Sequence, residues 1–151
     1  MKCYFSILLL ISLLFSFSNN DALKEYKAGH YKKAFNMWLK LSKQNNPKAI
    51  HNLAMMYYLG KGTQAKQDIA VKLLTKLIKN KDSYKLTKKD LSLIYQDLAF
   101  IYFYGYADKY NKIYIKRKEA KKFFKKSIEL GNKKLINFYK KIYKDINATK
   151  K

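Results

Sequence analysis

The feature that most constrains the fold is a short pattern that occurs twice in the chain. A Leu-Ala pair is followed by a tyrosine and then by a glycine, and the second copy lies 45 residues after the first. The matching pairs are Leu53 and Leu98, Ala54 and Ala99, Tyr57 and Tyr102, and Gly60 and Gly105. Because apolar residues three or four positions apart lie on one face of a helix, each copy predicts an amphipathic helix that ends at its glycine.

The segments between these helices also resemble one another. Their apolar positions correspond at intervals of 36 and then 50 residues. The three sets are Ala34, Trp38 and Leu41, then Ala70, Leu74 and Leu77, then Ala120 and Phe124. The unequal intervals arise in polar connections, which is where a repeat array accommodates insertions. The chain is therefore predicted to be all-α, an α-α superhelix of about three helix hairpins with a C-terminal capping helix.

The predicted repeat domain covers 19–151, and its units cover about 20–45, 46–80 and 87–131, with a cap at 132–147. The seven helices are predicted near 21–28, 31–44, 47–60, 67–79, 87–104, 117–130 and 132–146. Glycines end several of them, and Thr87 with Asp90 resembles a capping box at the start of the fifth. The segment 106–116 is predicted to be a loop. No strand is predicted, because no long run alternates with a period of two.

The first 18 residues are predicted to be a signal peptide. Lys2 precedes an apolar run from Phe5 to Phe17, which is shorter than the roughly 20 residues of a membrane-spanning helix. Small residues at Ser16 and Ser18 predict cleavage after Ser18; the alternative is an uncleaved N-terminal anchor. The mature chain is therefore expected in the periplasm or outside the cell, without a transmembrane span. Since Cys3 is the only cysteine, the mature chain has no disulfide and depends on its hydrophobic core.

The charge is strongly positive. The chain has 33 basic and 10 acidic residues, and all the basic residues except Arg117 are lysine. One interpretation is codon bias that places lysine on solvated helix faces, and the other is attraction to an anionic partner such as an envelope surface. Nucleic acid is disfavoured as a partner, because specific readers prefer the bidentate guanidinium of arginine.

The second unit resembles the Sel-one-like repeat family, a relative of the tetratricopeptide repeats. The residues that match its pattern are Ala49, Leu53, Tyr57, Gly60, Gly62 and Ala70. The chain departs from the pattern at Thr63, where the family has valine, and at Ala107, the counterpart of Gly62 in the third unit. The resemblance implies an adaptor that binds other proteins, and bacterial members are often secreted or periplasmic.

In tetratricopeptide-like arrays, the face opposite the buried stripe lines an inner, concave groove. With 100° per residue and Leu53 and Leu98 at the centre of the stripe, eight residues lie on that opposite face. They are His51, Met55, Tyr58, Leu59, Gln96, Phe100, Phe103 and Tyr104. Aromatic and methionine side chains contribute much of the contact energy at protein interfaces, so this strip is the predicted protein-binding groove. The alternative is that flanking helices or the 106–116 loop cover it.

A second candidate surface is a basic face on the sixth helix. Its residues are Lys118, Lys121, Lys122 and Lys125, on the side opposite Ala120 and Phe124. Such a face is either a solvated surface or a site for an anionic lipid, glycan or acidic protein.

Catalysis finds little support in the sequence. His30 and His51 are the only histidines and belong to different units, so no metal site is predicted, and no cofactor-binding motif is present. The predicted function is therefore an exported, non-catalytic scaffold that binds a protein or peptide through its concave face. The alternatives are a secreted host-interaction or virulence factor on the same scaffold, and an envelope enzyme that acts on cell-wall or β-lactam material.

Overall fold

The computed structural model describes residues 17–148 and is built almost entirely from helices. The part of the predicted signal peptide before Phe17 lies outside the described residues. The helices are α1 (Asn19–Lys27), α2 (Tyr31–Lys43), α3 (Pro47–Leu59), α4 (Gln67–Lys79), α5 (Lys88–Tyr104), α6 (Arg117–Glu129) and α7 (Leu135–Ala148). The predicted all-α class is confirmed. Within 17–148, none of these helices has both the length and the apolar character needed to cross a bilayer.

The helix boundaries follow from local chemistry. Thr87 caps α5, and Asp90 bonds back to the Thr87 backbone N–H, so the predicted capping box is confirmed. Ser18 and Asp21 form a second capping box at the start of α1. Helix α3 ends at Gly60, which has φ 66° and ψ 25°, the left-handed conformation predicted for that glycine.

Three hydrophobic clusters hold the helices together, and each joins three consecutive helices. The first combines residues of α1, α2 and α3, the second those of α3, α4 and α5, and the third those of α5, α6 and α7. Leu53 and Leu98 are both buried, as predicted for the centre of the stripe. Helices α3 and α5 thus each contribute to two clusters. The apolar side chains of each helix pair are therefore covered by the helix that follows the pair.

The two copies of the pattern of a Leu-Ala pair, a tyrosine and a glycine make the same backbone hydrogen bond. The N–H of Lys66 donates to the carbonyl of Tyr57, and the N–H of Lys116 donates to the carbonyl of Tyr102, both at 2.8 Å. Each bond closes the connection between the two helices of a hairpin. The sequence correspondence between Tyr57 and Tyr102 is therefore also a structural one.

The prediction that the chain has no strand is wrong for the connection between α5 and α6. Within the predicted loop, β1 (Tyr106–Ala107) pairs antiparallel with β2 (Ile113–Tyr114). Each strand has only two residues, too few to show a periodic pattern in the sequence. The hairpin forms because a turn centred on Asp108 and a stack of tyrosines bring the two strands together.

Candidate binding surface between α3 and α5

Helices α3 and α5 lie side by side and point in the same direction. The His51 Nε2 atom lies 2.6 Å from Asp97 Oδ2, which joins the middle of one helix to the middle of the other. Two turns further along, burial raises the pKa of the Tyr58 hydroxyl, and the nearby Tyr104 hydroxyl raises it further. Both pairs are separated by 46 residues, so the two helices keep one register along this seam.

A cleft of about 290 Å³ lies between the first turns of α3 and α5. Its lining residues are Pro47, Lys48, His51, Asn52, Leu86, Lys89, Asp90, Leu93 and Ile94. Ile94 is buried, whereas Leu93 is 40% exposed although it belongs to a well-packed helix. The cleft therefore combines an apolar floor with lysines from both helices.

The carboxylate in this cleft is already engaged by its own helix. Asp90 accepts hydrogen bonds from the Thr87 hydroxyl at 2.6 Å and from the Thr87 backbone N–H at 3.0 Å. Burial by itself raises the pKa of Asp90, but these hydrogen bonds and the nearby charges of Lys48 and His51 outweigh it and lower the pKa below the ordinary value. Lys48 and Lys89 bring two positive charges to the cleft against the single carboxylate of Asp90, so the lining carries a net positive charge.

The His51–Asp97 pair resembles the orienting half of a catalytic group, since a carboxylate holds the imidazole ring. The residues that line the cleft include no hydroxyl or thiol to act as a nucleophile. Nor do the residues from 17 to 148 bring together three side chains of the types that bind a metal ion.

A smaller cleft of about 150 Å³ lies on the other side of α3, against α1 and α2. Its lining residues are Leu23, Tyr26, Trp38, Asn52, Met55 and Met56. Within the described part of the chain, the buried indole N–H of Trp38 has no hydrogen-bond acceptor. Asn52 lines both clefts, so the two clefts adjoin one another at this residue of α3.

The eight predicted groove residues divide into four groups. Leu59 and Tyr104 are 52% and 63% exposed and lie on the surface. Met55 and Tyr58 are half-buried against the second cluster. The third group, which belongs to α5, is half-buried beside α7 or its preceding turn, and His51 lies in the cleft wall.

Helix α7 accounts for the covering of the α5 residues. Phe100 lies edge to face with Phe124 at 5.0 Å between ring centroids, and its ring is 5.2 Å from that of Phe138. Phe103 packs against the same two rings. The Asn132 side-chain amide donates to Gln96 Oε1 at 2.6 Å. Phe100, Phe103 and Gln96 therefore help to hold the C-terminal helix, and the exposed part of the surface is displaced toward α3.

Sequence reasoning missed Leu93, Lys48 and Lys89, which shape the larger cleft. Leu93 lies beside the buried stripe of α5 rather than on it, and an apolar residue off the stripe is the signal that identifies it. The predicted basic face is exposed at all four of its lysines. One of them, Lys121, also contacts α7, because its Nζ atom lies 5.2 Å from the ring centroid of Tyr143.

Comparison with models of known protein families finds no match, and a search of curated proteins also gives none.

Proposed function

We propose that this protein is an exported, non-catalytic repeat scaffold that binds a protein or peptide partner along the seam between α3 and α5. In this proposal the three helix hairpins form an α-α superhelix of the Sel-one-like type. The seam lies on its concave side, and the mature chain acts in the periplasm or outside the cell.

The observation that carries the proposal is the larger cleft together with the exposed side chains that continue from it. A cavity of about 290 Å³ is at the lower limit of ligand pockets, which are about 300 Å³ or larger, so it suits one or two side chains of a peptide. The cleft offers Leu93 to an apolar side chain and Lys48 and Lys89 to an acidic one. Further along the seam, Leu59 and Tyr104 extend the contact surface.

The charge of the chain favours a peptide with a negative charge. The formal net charge of the chain is +23, so long-range attraction would bring an acidic partner toward the seam. The partner that fits best is therefore an extended segment that carries both apolar and acidic side chains.

A host-interaction or virulence factor would use the same surface and would differ only in where its partner is found. An envelope enzyme would use the His51–Asp97 pair, which is the arrangement closest to a catalytic one. We prefer binding, because the residues that line the cleft include no hydroxyl or thiol nucleophile to accompany His51.

The proposal is tested by affinity capture from native envelope or host extracts with the full chain and a Leu93→Arg variant. Leu93 is 40% exposed, so arginine fills the cleft without entering the core. We expect the amount of captured partner to fall about tenfold or more, as for loss of a central contact residue. The matched control is Asn36→Arg, which adds the same charge at an exposed position of α2 that lines neither cleft and lies outside the hairpin at 105–116.

Capture that is equally strong with wild type and Leu93→Arg contradicts the proposed seam. Hydrolysis of a cell-wall or β-lactam substrate that disappears in His51→Ala, but persists in Leu93→Arg, would instead support the enzyme alternative. The helical circular dichroism signal is recorded for each variant, so that loss of folding is not mistaken for loss of binding.

A further inference from the structure

The four most exposed large apolar side chains in the described part of the protein belong to one segment. They are Tyr104, Tyr110, Ile113 and Ile115, with exposed fractions of 63%, 76%, 69% and 54%. Three of them belong to the β-hairpin connection between α5 and α6 and its flanking residues, outside the cleft. A small hairpin that directs its apolar residues into solvent requires a reason other than folding.

The hairpin holds these side chains in a defined arrangement. Ile113 and Ile115 are two positions apart, so they lie on the same side of the strand. Both pack over Gly105, since a Cβ atom built there would lie 3.4 Å from Ile113 Cγ2 and 3.0 Å from Ile115 Cγ1. Tyr114, between them, faces the other way and stacks on Tyr106 at 5.4 Å between ring centroids.

The base of the hairpin is rigid. The ring of Tyr106 also stacks on Tyr102 of α5, with 5.7 Å between ring centroids. At the tip, Asp108 accepts hydrogen bonds from the backbone N–H groups of Tyr110 and Lys112 and from the Tyr114 hydroxyl. The apolar residues are therefore presented by a structured element.

Lysines surround the apolar side chains. Lys109 and Lys112 are exposed, and their Nζ atoms lie 4.7 and 5.4 Å from the ring centroids of Tyr110 and Tyr114. Between 105 and 116 the chain carries three lysines and one aspartate, so the hairpin keeps a net positive charge. The predicted basic face begins at Lys118, on the first turn of α6 directly after the hairpin.

We propose that the hairpin at 105–116 binds an anionic lipid bilayer and inserts Tyr110, Ile113 and Ile115 among the lipid headgroups. Protruding apolar side chains ringed by lysines complement a surface that is negatively charged outside and apolar beneath. Tyrosine is also favoured at the membrane interface, where its ring is partly apolar and its hydroxyl remains hydrated. This surface lies apart from the seam between α3 and α5.

The test is co-sedimentation of the full chain with vesicles of phosphatidylcholine, alone or with phosphatidylglycerol added. The apolar N-terminal segment is common to all variants, and partitioning is compared at a lipid concentration that leaves wild type partly unbound, so that this segment does not saturate binding. Lys109→Glu with Lys112→Glu is expected to lower partitioning onto the anionic vesicles by at least about 30-fold, since loss of each lysine costs about fivefold and the glutamates add repulsion. Ile113→Ser with Ile115→Ser is expected to lower it about tenfold, because the apolar contact is lost.

The matched control is Lys133→Glu with Lys134→Glu, which makes the same change of net charge in the connection after α6. These lysines are exposed and lie at the opposite end of α6, about 20 Å from the hairpin by the helical rise. The control is expected to lower partitioning less than threefold. Equal losses in the hairpin and control variants would overturn the proposal, because binding would then follow total charge alone.

A second readout follows insertion directly. In a Tyr110→Trp variant, the new indole fluorescence is expected to shift to shorter wavelength on anionic vesicles and to be quenched by brominated lipid. Trp38 is 2% exposed and gives a constant background. Sedimentation without a shift or quenching would contradict insertion, as would a hairpin that captures a protein but leaves vesicles unbound.

Discussion

The second and third units close their hairpins with the same hydrogen bond but with connections of different length. From Tyr57 to Lys66 the chain needs 9 residue steps, whereas from Tyr102 to Lys116 it needs 14. In both cases the donor and acceptor are 2.8 Å apart. The five extra residues form the tip of the β-hairpin, which lies within the loop that this bond closes. The insertion therefore adds a new surface, while the closing bond keeps the same length.

The two connections also contact the preceding unit by different means. A Cβ atom at Gly62 would lie 2.4 Å from the carbonyl oxygen of Tyr31, so the backbone there touches α2 directly. At the corresponding Ala107, the backbone N–H donates to Gln67 Oε1 at 2.7 Å, and this side chain spans the gap to α4. A close backbone approach requires glycine, whereas a contact through a longer side chain leaves room for a methyl group.

Gly62→Ala tests this difference most severely. The added methyl group would overlap the Tyr31 backbone, and alanine is strained at the φ of +72° found here. We expect the free energy of unfolding to fall by about 3 kcal/mol, measured by urea denaturation. The reverse change, Ala107→Gly, should cost only about 1 kcal/mol or less through backbone entropy. Similar losses in both variants would show that the two connections do not differ as described.

Gln67→Ala tests the contact in the third unit. It removes the acceptor of the Ala107 N–H, which is expected to cost about 1 kcal/mol. Hydrogen exchange at the Ala107 amide should become faster, whereas exchange in the turn at 60–62 should stay unchanged. Gln64→Ala, at an exposed position in the neighbouring connection, serves as the control. An Ala107 amide that remains equally protected would contradict the assigned hydrogen bond.

The smallest expected effect is the response of the hairpin to pH. Desolvation by itself raises the pKa of Asp108, but hydrogen bonds from the Tyr110 and Lys112 N–H groups and from the Tyr114 hydroxyl lower it below its ordinary value of 3.8. A carboxyl group with a lowered folded-state pKa stabilises the fold above its unfolded-state pKa, and this contribution is lost as the pH falls. The hairpin is therefore expected to loosen below about pH 4.

This loosening is measured by NMR as a change in the resonance of the Tyr110 backbone amide with pH. Other capping carboxylates titrate in the same range, so the measurement is the difference between wild type and Asp108→Asn. The connection at Gly60–Gly62 carries no carboxyl group, and its amides should show no local change. A Tyr110 amide that responds to acid equally in Asp108→Asn would remove Asp108 as the cause.

Much of the fold was predictable because its signals are local. The bounds of α4 were predicted to the residue, and the capping box at Thr87 was read from two residues three positions apart. Gly60 was predicted as a left-handed cap because only glycine takes that conformation at little cost. The candidate site was less predictable. Phe100 and Leu59 were assigned to the same groove, yet Phe100 packs against α7 and Leu59 remains exposed.

By itself, the sequence determined approximately where the seven described helices lie, which of their faces are apolar, and that two segments share one pattern. These properties depend on residues within a few positions of one another, and they appear as periodicity and capping patterns. Only the tertiary structure decided which half-apolar faces are covered, that Ser92 and Ser127 bond to each other between α5 and α6, and that the longer connection forms a hairpin. The first two outcomes depend on contacts between residues far apart in the chain, which no local pattern records, and the hairpin strands are too short to leave a periodic pattern.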